Sequence, residues 1–423
     1  MTDEQRKTTL GAGIAALGIG IGILLYFFTP WLRQNNSNPA RQRSEPARRS
    51  DEQTGQNNPA RWDENWAQRR FHQLALAADS VGIDTTGYAF AFVAADSSDA
   101  ETAWQRNLTN LLLELRYGHR PDRQRYAGLP ETPDTTGLQA TLTDETNQGN
   151  WLKISKFKPY SQLITAYREQ RRANAPADSL RAIRQTLNFY RYLYRFNTSR
   201  LAVINIPAAD LTVFDSTGTR LLAMAVIVGK KSKRTPTFTA YLNQITMYPY
   251  WNVPRGIGIK EILPKAQASS NYLDAQNMQV LDSRDQPIEA ASLDWSAFSA
   301  RNFPYRFRQA SGCSNSLGLL KFTLSCPFDI YLHDTNARDL FVQTTNRWRS
   351  HGCVRLQNPV DFANLVLNAP TFNTEFMNRC LLEQKPRIIA VPTPLPVIIA
   401  YNTANISPDG RLVFYADVYG LAK

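Results

Sequence analysis

The spacing of apolar positions along this chain changes character several times, and each change marks an expected element. Residues 10–32 are almost continuously apolar, carry no charge, and close on Tyr26, Phe27, Phe28 and Trp31. A helix of about 20 such residues spans a bilayer core of roughly 30 Å. A secretory apolar region is shorter, about 7–15 residues, and ends at a small-residue cleavage site. Here Thr29-Pro30-Trp31-Leu32-Arg33 follows, so an uncleaved single-span anchor is expected within residues 1–32. Residues 33–60 are polar, rich in Arg, Asn and Pro, and nearly free of aliphatics. Such a segment buries too little to fold and reads as a flexible stalk.

From 61 to 197 the period is helical. Trp104, Leu108, Leu111, Leu112 and Leu115 line one face, and Leu180, Ile183, Leu187, Tyr190 and Tyr194 repeat the step. These stripes predict the core seams of a helical scaffold. Near 199 the period becomes that of strands. Runs at 201–206, 211–215 and 220–228 come first, the last two flanking the turn Ser216-Thr217-Gly218; 238–247 follows. Strands at 319–324 and 329–333 are joined through Ser325-Cys326-Pro327. Residues 256–312 break the rhythm with Tyr272, Trp295, Phe298, Phe303, Tyr305 and Phe307, which predicts an inserted lid or a packed subdomain. A helix at 359–367 and closing strands at 396–400 and 412–415 complete the pattern. The expected class is α+β, with sheets that are mostly antiparallel.

The net charge of +12 adds little. No Lys/Arg run with interleaved aromatics marks a nucleic-acid surface, so nucleic acid is not an expected partner. A basic surface facing anionic lipid or wall polymer accounts for the charge equally well. Arg6 and Lys7 precede the apolar run, whereas Arg33, Arg41, Arg43, Arg48 and Arg49 follow it. The positive-inside rule therefore leaves the orientation open. The four cysteines, Cys313, Cys326, Cys353 and Cys380, form no disulfide framework. A strand between Cys313 and Cys326 holds its ends beyond the roughly 7 Å limit for a bridge, so free thiols are expected.

Chemistry concentrates between 333 and 355, where two of four histidines, Cys353 and Arg355 sit together. A cysteine attacks as thiolate, with an imidazole taking its proton. The tetrahedral oxyanion then needs N–H donors, for which the Gly352 and Cys353 amides are candidates. Arg355 suits a substrate carboxylate. His351, next but one to the cysteine, and His333, twenty residues upstream, compete as base. No CxxC or HxxxH spacing favours a metal site, and an inert cysteine beside a core histidine is the bland alternative.

His333-Asp334-Thr335 followed by Ser350-His351-Gly352-Cys353-Val354-Arg355 resembles the signature of the L,D-transpeptidases, with their YkuD-type catalytic domain. Val203-Ile204-Asn205-Ile206-Pro207, Val226-Ile227-Val228-Gly229-Lys230, Tyr250-Trp251-Asn252-Val253-Pro254, Leu317-Gly318 with Lys321-Phe322, and Asp409-Gly410 with Tyr419-Gly420 point to the larger, lid-bearing branch. The resemblance covers roughly 200 to 423. It implies a catalytic domain over 198–395, with a lid at 256–312, completed by strands within 396–423. It also implies attack by Cys353 on the L,D bond after the third residue of a peptidoglycan tetrapeptide stem, expelling D-alanine. His333 is then the base, held by the backbone carbonyl of Asp334. His351, Gly352 and Arg355 shape the oxyanion and substrate pocket, and Tyr331, Ser350, Asn315 and Trp251 join Arg355 in binding substrate. A diamino-acid side chain of a second stem resolves the acyl-enzyme into a 3-3 cross-link. No metal or organic cofactor is implied.

The implied setting is the inner membrane, with the body in the periplasm and cell-wall synthesis proteins as possible partners. An L,D-carboxypeptidase, an enzyme attaching protein to the wall, and a silent wall-binding scaffold are the alternatives. One departure stands out: Arg171-Arg172-Ala173-Asn174 leads almost directly into the next helix, leaving no room for the peptidoglycan-binding module common in this branch.

Overall fold

The computed structural model describes residues 64–88, 100–144, 157–269, 271–343, 346–378 and 384–422. The expected membrane span at 10–32 and the stalk at 33–60 lie outside the described residues. Among the described residues no helix is long and apolar enough to cross a membrane.

Helices come first. Glu64–Ser80, Ala100–Tyr117 and the short Leu138–Thr143 pack as one group, with Leu108, Leu111, Leu112 and Leu115 closed against Trp66, Leu74 and Leu142. Lys158–Arg172 and Ala177–Leu193 form a second pair, whose Ile183, Leu187 and Tyr190 are buried as their spacing requires. Leu180 and Tyr194 reach only the edge of that seam.

The strands, in chain order, are β1 Tyr126–Ala127, β2 Arg200–Asn205, β3 Asp210–Asp215, β4 Arg220–Gly229, β5 Phe238–Met247, β6 Trp251–Asn252, β7 Met278–Leu281, β8 Pro287–Ile288 and β9 Arg306–Gln309. There follow β10 Leu320–Leu324, β11 Leu332–His333, β12 Trp348–Ser350, β13 Val354–Leu356, β14 Arg387–Ala400, β15 Ala404–Ile406 and β16 Leu412–Phe414. The main sheet runs β1-β5-β10-β11-β13-β4-β3-β2-β14, with β12 on β4 and β14 also paired to β5. β14–β5 antiparallel pairing links the first and last parts of that order. Strand alternation assigns the two faces. Ala202, Ile204, Val226, Val228 and Phe322 enter the larger core with Phe362 of the helix Pro359–Leu367. Leu201, Val203, Phe214 and Ile398 face the second helix pair. The sheet is thus covered on both sides, and the helical scaffold shares a core with it.

The sheets are mostly antiparallel, as expected, with β1–β5, β11–β13, β12–β4 and β14–β2 as parallel pairs. Three expectations are corrected. The region read as helical contributes β1, two residues being too few to show a period. The closing strand begins at Arg387, not 396, and runs through the 395/396 division. Pro392, Pro394 and Pro396 withhold N–H donors, and pairing with β5 shifts register between Ala390 and Leu395, which hid the strand's first half. Finally, Cys313 is disulfide-bonded, while Cys326 and Cys353 are free. Strand length precludes only a Cys313–Cys326 bridge, and Cys380 lies outside the described residues.

The insertion has its own four-stranded sheet, β6-β9-β7-β8. Val253, Leu263, Val280, Phe303 and Phe307 form its core, and Trp295 stacks on Phe307 at 6.3 Å. A π-helical turn, Gly258–Ile262, interrupts its helix.

Candidate active site

β10, β11 and β13 bring the candidate residues together. Lys321 pairs with His333 across an antiparallel ladder, and His333 pairs with Arg355 across a parallel one. His333 thus meets the strand that follows the cysteine through a parallel pair. Leu332, Val354 and Phe322 point into the core and are fully buried. Alternation then sends Lys321, Tyr331, His333, Cys353 and Arg355 to the opposite face.

The cysteine loop is braced internally. Ser350 Oγ donates to the Cys353 carbonyl at 2.6 Å and accepts from the Gly352 N–H at 3.1 Å. Thr235 Oγ1 donates to the Gly352 carbonyl at 2.6 Å, and the Thr235 N–H donates to the Tyr419 hydroxyl at 3.2 Å. Gly352 has a φ of 127°, a left-handed conformation suited to glycine. Two assignments change here. Ser350 holds the loop instead of facing substrate, and the Gly352 N–H is occupied by it. Among the described residues nothing engages the Cys353 N–H, which leaves that amide free to donate to an oxyanion.

Cys353 Sγ lies 3.5 Å from the Asp329 carbonyl. Burial pushes its thiol above the ordinary range, opposed by hydrogen bonds from the Tyr331 backbone and hydroxyl and by the Lys321 charge. The resting Cys353 is thus a protonated thiol, which would need a base to attack. His333 is buried, and burial, with Arg355 next in weight, pushes its pKa down to about 3. It is therefore neutral and able to accept a proton at neutral pH. The carbonyls of Asp334 and Leu317 face the ring and oppose this shift, yet neither closes a full hydrogen bond on Nδ1. No hydrogen bond joins the ring to the thiol in this resting geometry, and such bonds often tighten only with substrate.

Asp334 acts through the backbone. Its buried carboxylate accepts from the Leu319 N–H at 2.9 Å and pairs with Arg338 at 2.8 Å, fixing the entry to β10. Gly318, at φ 62°, passes so close that a Cβ there would stand 2.2 Å from Asp334 Oδ2. Gly318→Ala is expected to cost about 2–4 kcal/mol in urea unfolding, from strain and the clash combined.

Arg355 is partly buried, with no partner for its buried Nε among the described residues. Burial lowers its pKa from the ordinary arginine value, so the group gains from an arriving anion. Trp251 borders the Tyr331 hydroxyl from the side of the inserted subdomain. Asn315 is corrected. It is fully buried, its amide donates to the Ala310 and Pro249 carbonyls at 2.8 and 3.1 Å, and its oxygen accepts from the Leu317 N–H. Its polar atoms shape a turn. His351 also has a partner of its own, its Nε2 lying 2.7 Å from Glu261 of the insertion's π turn.

Lys321 has no assigned role from sequence, although Lys321-Phe322 is part of the resemblance. Its Nζ sits 4.4 Å from the Tyr331 ring centroid, and its charge favours the Cys353 thiolate. The available signal was a lone lysine between the buried Leu320 and Phe322. Lys321→Met removes a charge that lowers the thiol pKa, so less thiolate exists at pH 7.5. Iodoacetamide labelling of Cys353, resolved from Cys326 by peptide mass spectrometry, is expected to slow roughly three- to tenfold.

Comparison with known proteins gives the same reading of this segment. Residues 199–399 match the YkuD family, described as an L,D-transpeptidase catalytic domain. A Haemophilus influenzae protein provisionally named an L,D-transpeptidase is 36% identical over 217 residues, which are 51% of this chain and 43% of that protein. The chain thus aligns with less than half the length of that curated relative. Among solved structures, an Enterococcus faecium L,D-transpeptidase variant matches 48% of this chain and 50% of its own, at 10% identity and a TM-score of 0.19. An L,D-transpeptidase from Mycobacterium smegmatis matches 48% of this chain and 61% of its own, at 17% identity and a TM-score of 0.20. At those scores neither structure carries weight. The sequence match and the Cys353 motif together liken residues 199–399 to the YkuD family of L,D-transpeptidase catalytic domains.

Proposed function

We propose that this chain is a peptidoglycan L,D-transpeptidase that forms 3-3 cross-links through an acyl-enzyme on Cys353. The observation that carries the reading is one sheet face bearing a thiol, a neutral imidazole and a partly buried guanidinium whose Nε has no partner among the described residues. In the acylation half, His333 takes the thiol proton and the sulfur attacks the carbonyl carbon of the donor's L,D bond. The Cys353 N–H receives the oxyanion and Arg355 holds a donor carboxylate. The C–N bond then breaks, His333 returns its proton to the departing D-alanine amine, and a thioester remains.

In the second half, an acceptor ammonium first loses a proton to solvent. The free amine attacks the thioester, a C–N bond forms and the C–S bond breaks. The second amine proton passes by way of His333 to the Cys353 sulfur. A lid with its own core, at the edge of this face, supports exclusion of water and so favours transfer over hydrolysis. The apolar run at 10–32 supports a membrane anchor, with the body working in the periplasm.

The test is incubation of the protein with disaccharide-tetrapeptide, followed by mass spectrometry. Release of D-alanine with cross-linked dimers is the expected result, together with a carbapenem adduct on the Cys353 peptide. Tripeptide alone, even with an amine acceptor present, would overturn cross-linking in favour of an L,D-carboxypeptidase.

A further inference from the structure

A cavity of about 270 Å³ lies between the lid and the catalytic strands. Val253, Leu281 and Phe307 form its lid-side walls, and Tyr331 and Asp329 close the catalytic side. The Tyr331 hydroxyl contacts the Cys353 thiol, so the cavity begins one phenol ring away from the nucleophile. Asp329 is nearer still in one respect, because its backbone carbonyl is the group that meets Cys353 Sγ.

The charges around it are unequal. Arg306, the cation in the cavity wall, is already paired with Asp285 of the lid. The Asp329 carboxylate has no ion pair or hydrogen bond among the described residues. Lys321 feels its charge, but no nitrogen of Lys321 comes within ion-pair distance of it. Lys321 and Arg355 lie on β10 and β13, the two strands that flank β11. The thiol therefore feels two cations and one uncommitted carboxylate, an asymmetry suited to two substrates of different charge.

We propose that this cavity is the acceptor subsite, and that Asp329 selects the aliphatic ammonium of a diamino-acid side chain. The inference rests on the reading of Cys353 as a transpeptidase nucleophile and deepens it. The apolar walls take the methylenes of the side chain, and the carboxylate receives its charged end in a charge-assisted contact. Deprotonation there leaves the amine beside the thioester carbon. The donor's carboxylate is kept on the Arg355 side, because placing it against Asp329 opposes like charges.

The ratio of transfer to hydrolysis tests this, since both products come from one acyl-enzyme and acylation rate cancels. With a tetrapeptide donor and a diamino-acid stem peptide as acceptor, Asp329→Asn is expected to lower the ratio about tenfold, mainly through a higher acceptor KM. Asp329→Glu is expected to recover most of it. Hydroxylamine, which is neutral at pH 7.5, is expected to partition equally in all three proteins. An unchanged ratio for Asp329→Asn with the diamino acceptor, or an equal loss with hydroxylamine, would overturn the subsite and leave the function standing. Failure of the wild-type protein to acylate at Cys353 would overturn both.

Discussion

Replacing Cys353 with alanine is expected to abolish D-alanine release and carbapenem labelling, while leaving the fold intact. The other free thiol among the described residues, Cys326, bonds its own turn through the Phe328 carbonyl at 3.4 Å and is also held above the ordinary thiol range by burial. It offers no substitute nucleophile. Among the described residues the Cys353 side chain bonds only the Asp329 carbonyl and the backbone and hydroxyl of Tyr331. Truncation to alanine should therefore change urea unfolding by no more than about 1 kcal/mol. Full activity in Cys353→Ala would refute the covalent mechanism outright.

His333→Gln is expected to slow acylation by roughly 10²–10⁴, the usual loss for a positioned base. Glutamine preserves most of the volume of a side chain that is only 5% exposed, so the loss should appear in rate and not in folding. A pH signature accompanies it. Because the native imidazole titrates near 3, activity should show no descending limb near pH 6.5 and should rise with pH as thiolate becomes accessible. Stability carries the opposite face of the same shift. An unfolded histidine binds a proton near 6.5 while the native one does not, so this contribution is full above that value. It is lost as pH falls from about 6.5 toward 3, by up to a few kcal/mol. Urea unfolding of His333→Gln should show a shallower decline over that window. An equally steep decline would place the acid sensitivity elsewhere.

Individual elements show how far local pattern reaches. The strand Phe238–Met247 and the helix Pro359–Leu367 have the bounds their periodicity predicts. Leu108 to Leu115 fill a scaffold core for the same reason. Short or proline-broken pieces escaped, as β1 and the first half of β14 did, because two residues or three missing N–H donors carry no readable period. In the site, the cysteine string was legible as a unit. Its interior was not: Gly352 and His351 look like oxyanion partners in the string, yet one amide is spent on Ser350 and the imidazole turns to Glu261. Asn315, read from the resemblance as a substrate contact, is consumed by backbone carbonyls.

The sequence by itself determined the order of helical and stranded segments, the inserted aromatic subdomain and the identity of the thiol. These depend on periodicity and on residues adjacent in the chain, which are local properties. The tertiary structure alone decided that Lys321, His333 and Arg355 share a face, that His333 pairs with Arg355 in parallel, and that Asp329 stands uncommitted beside Cys353. Register, strand direction and burial set those relations. Each arises from pairing between segments far apart in the chain, and burial then shifts the His333 and Cys353 pKa values in ways no string of letters encodes.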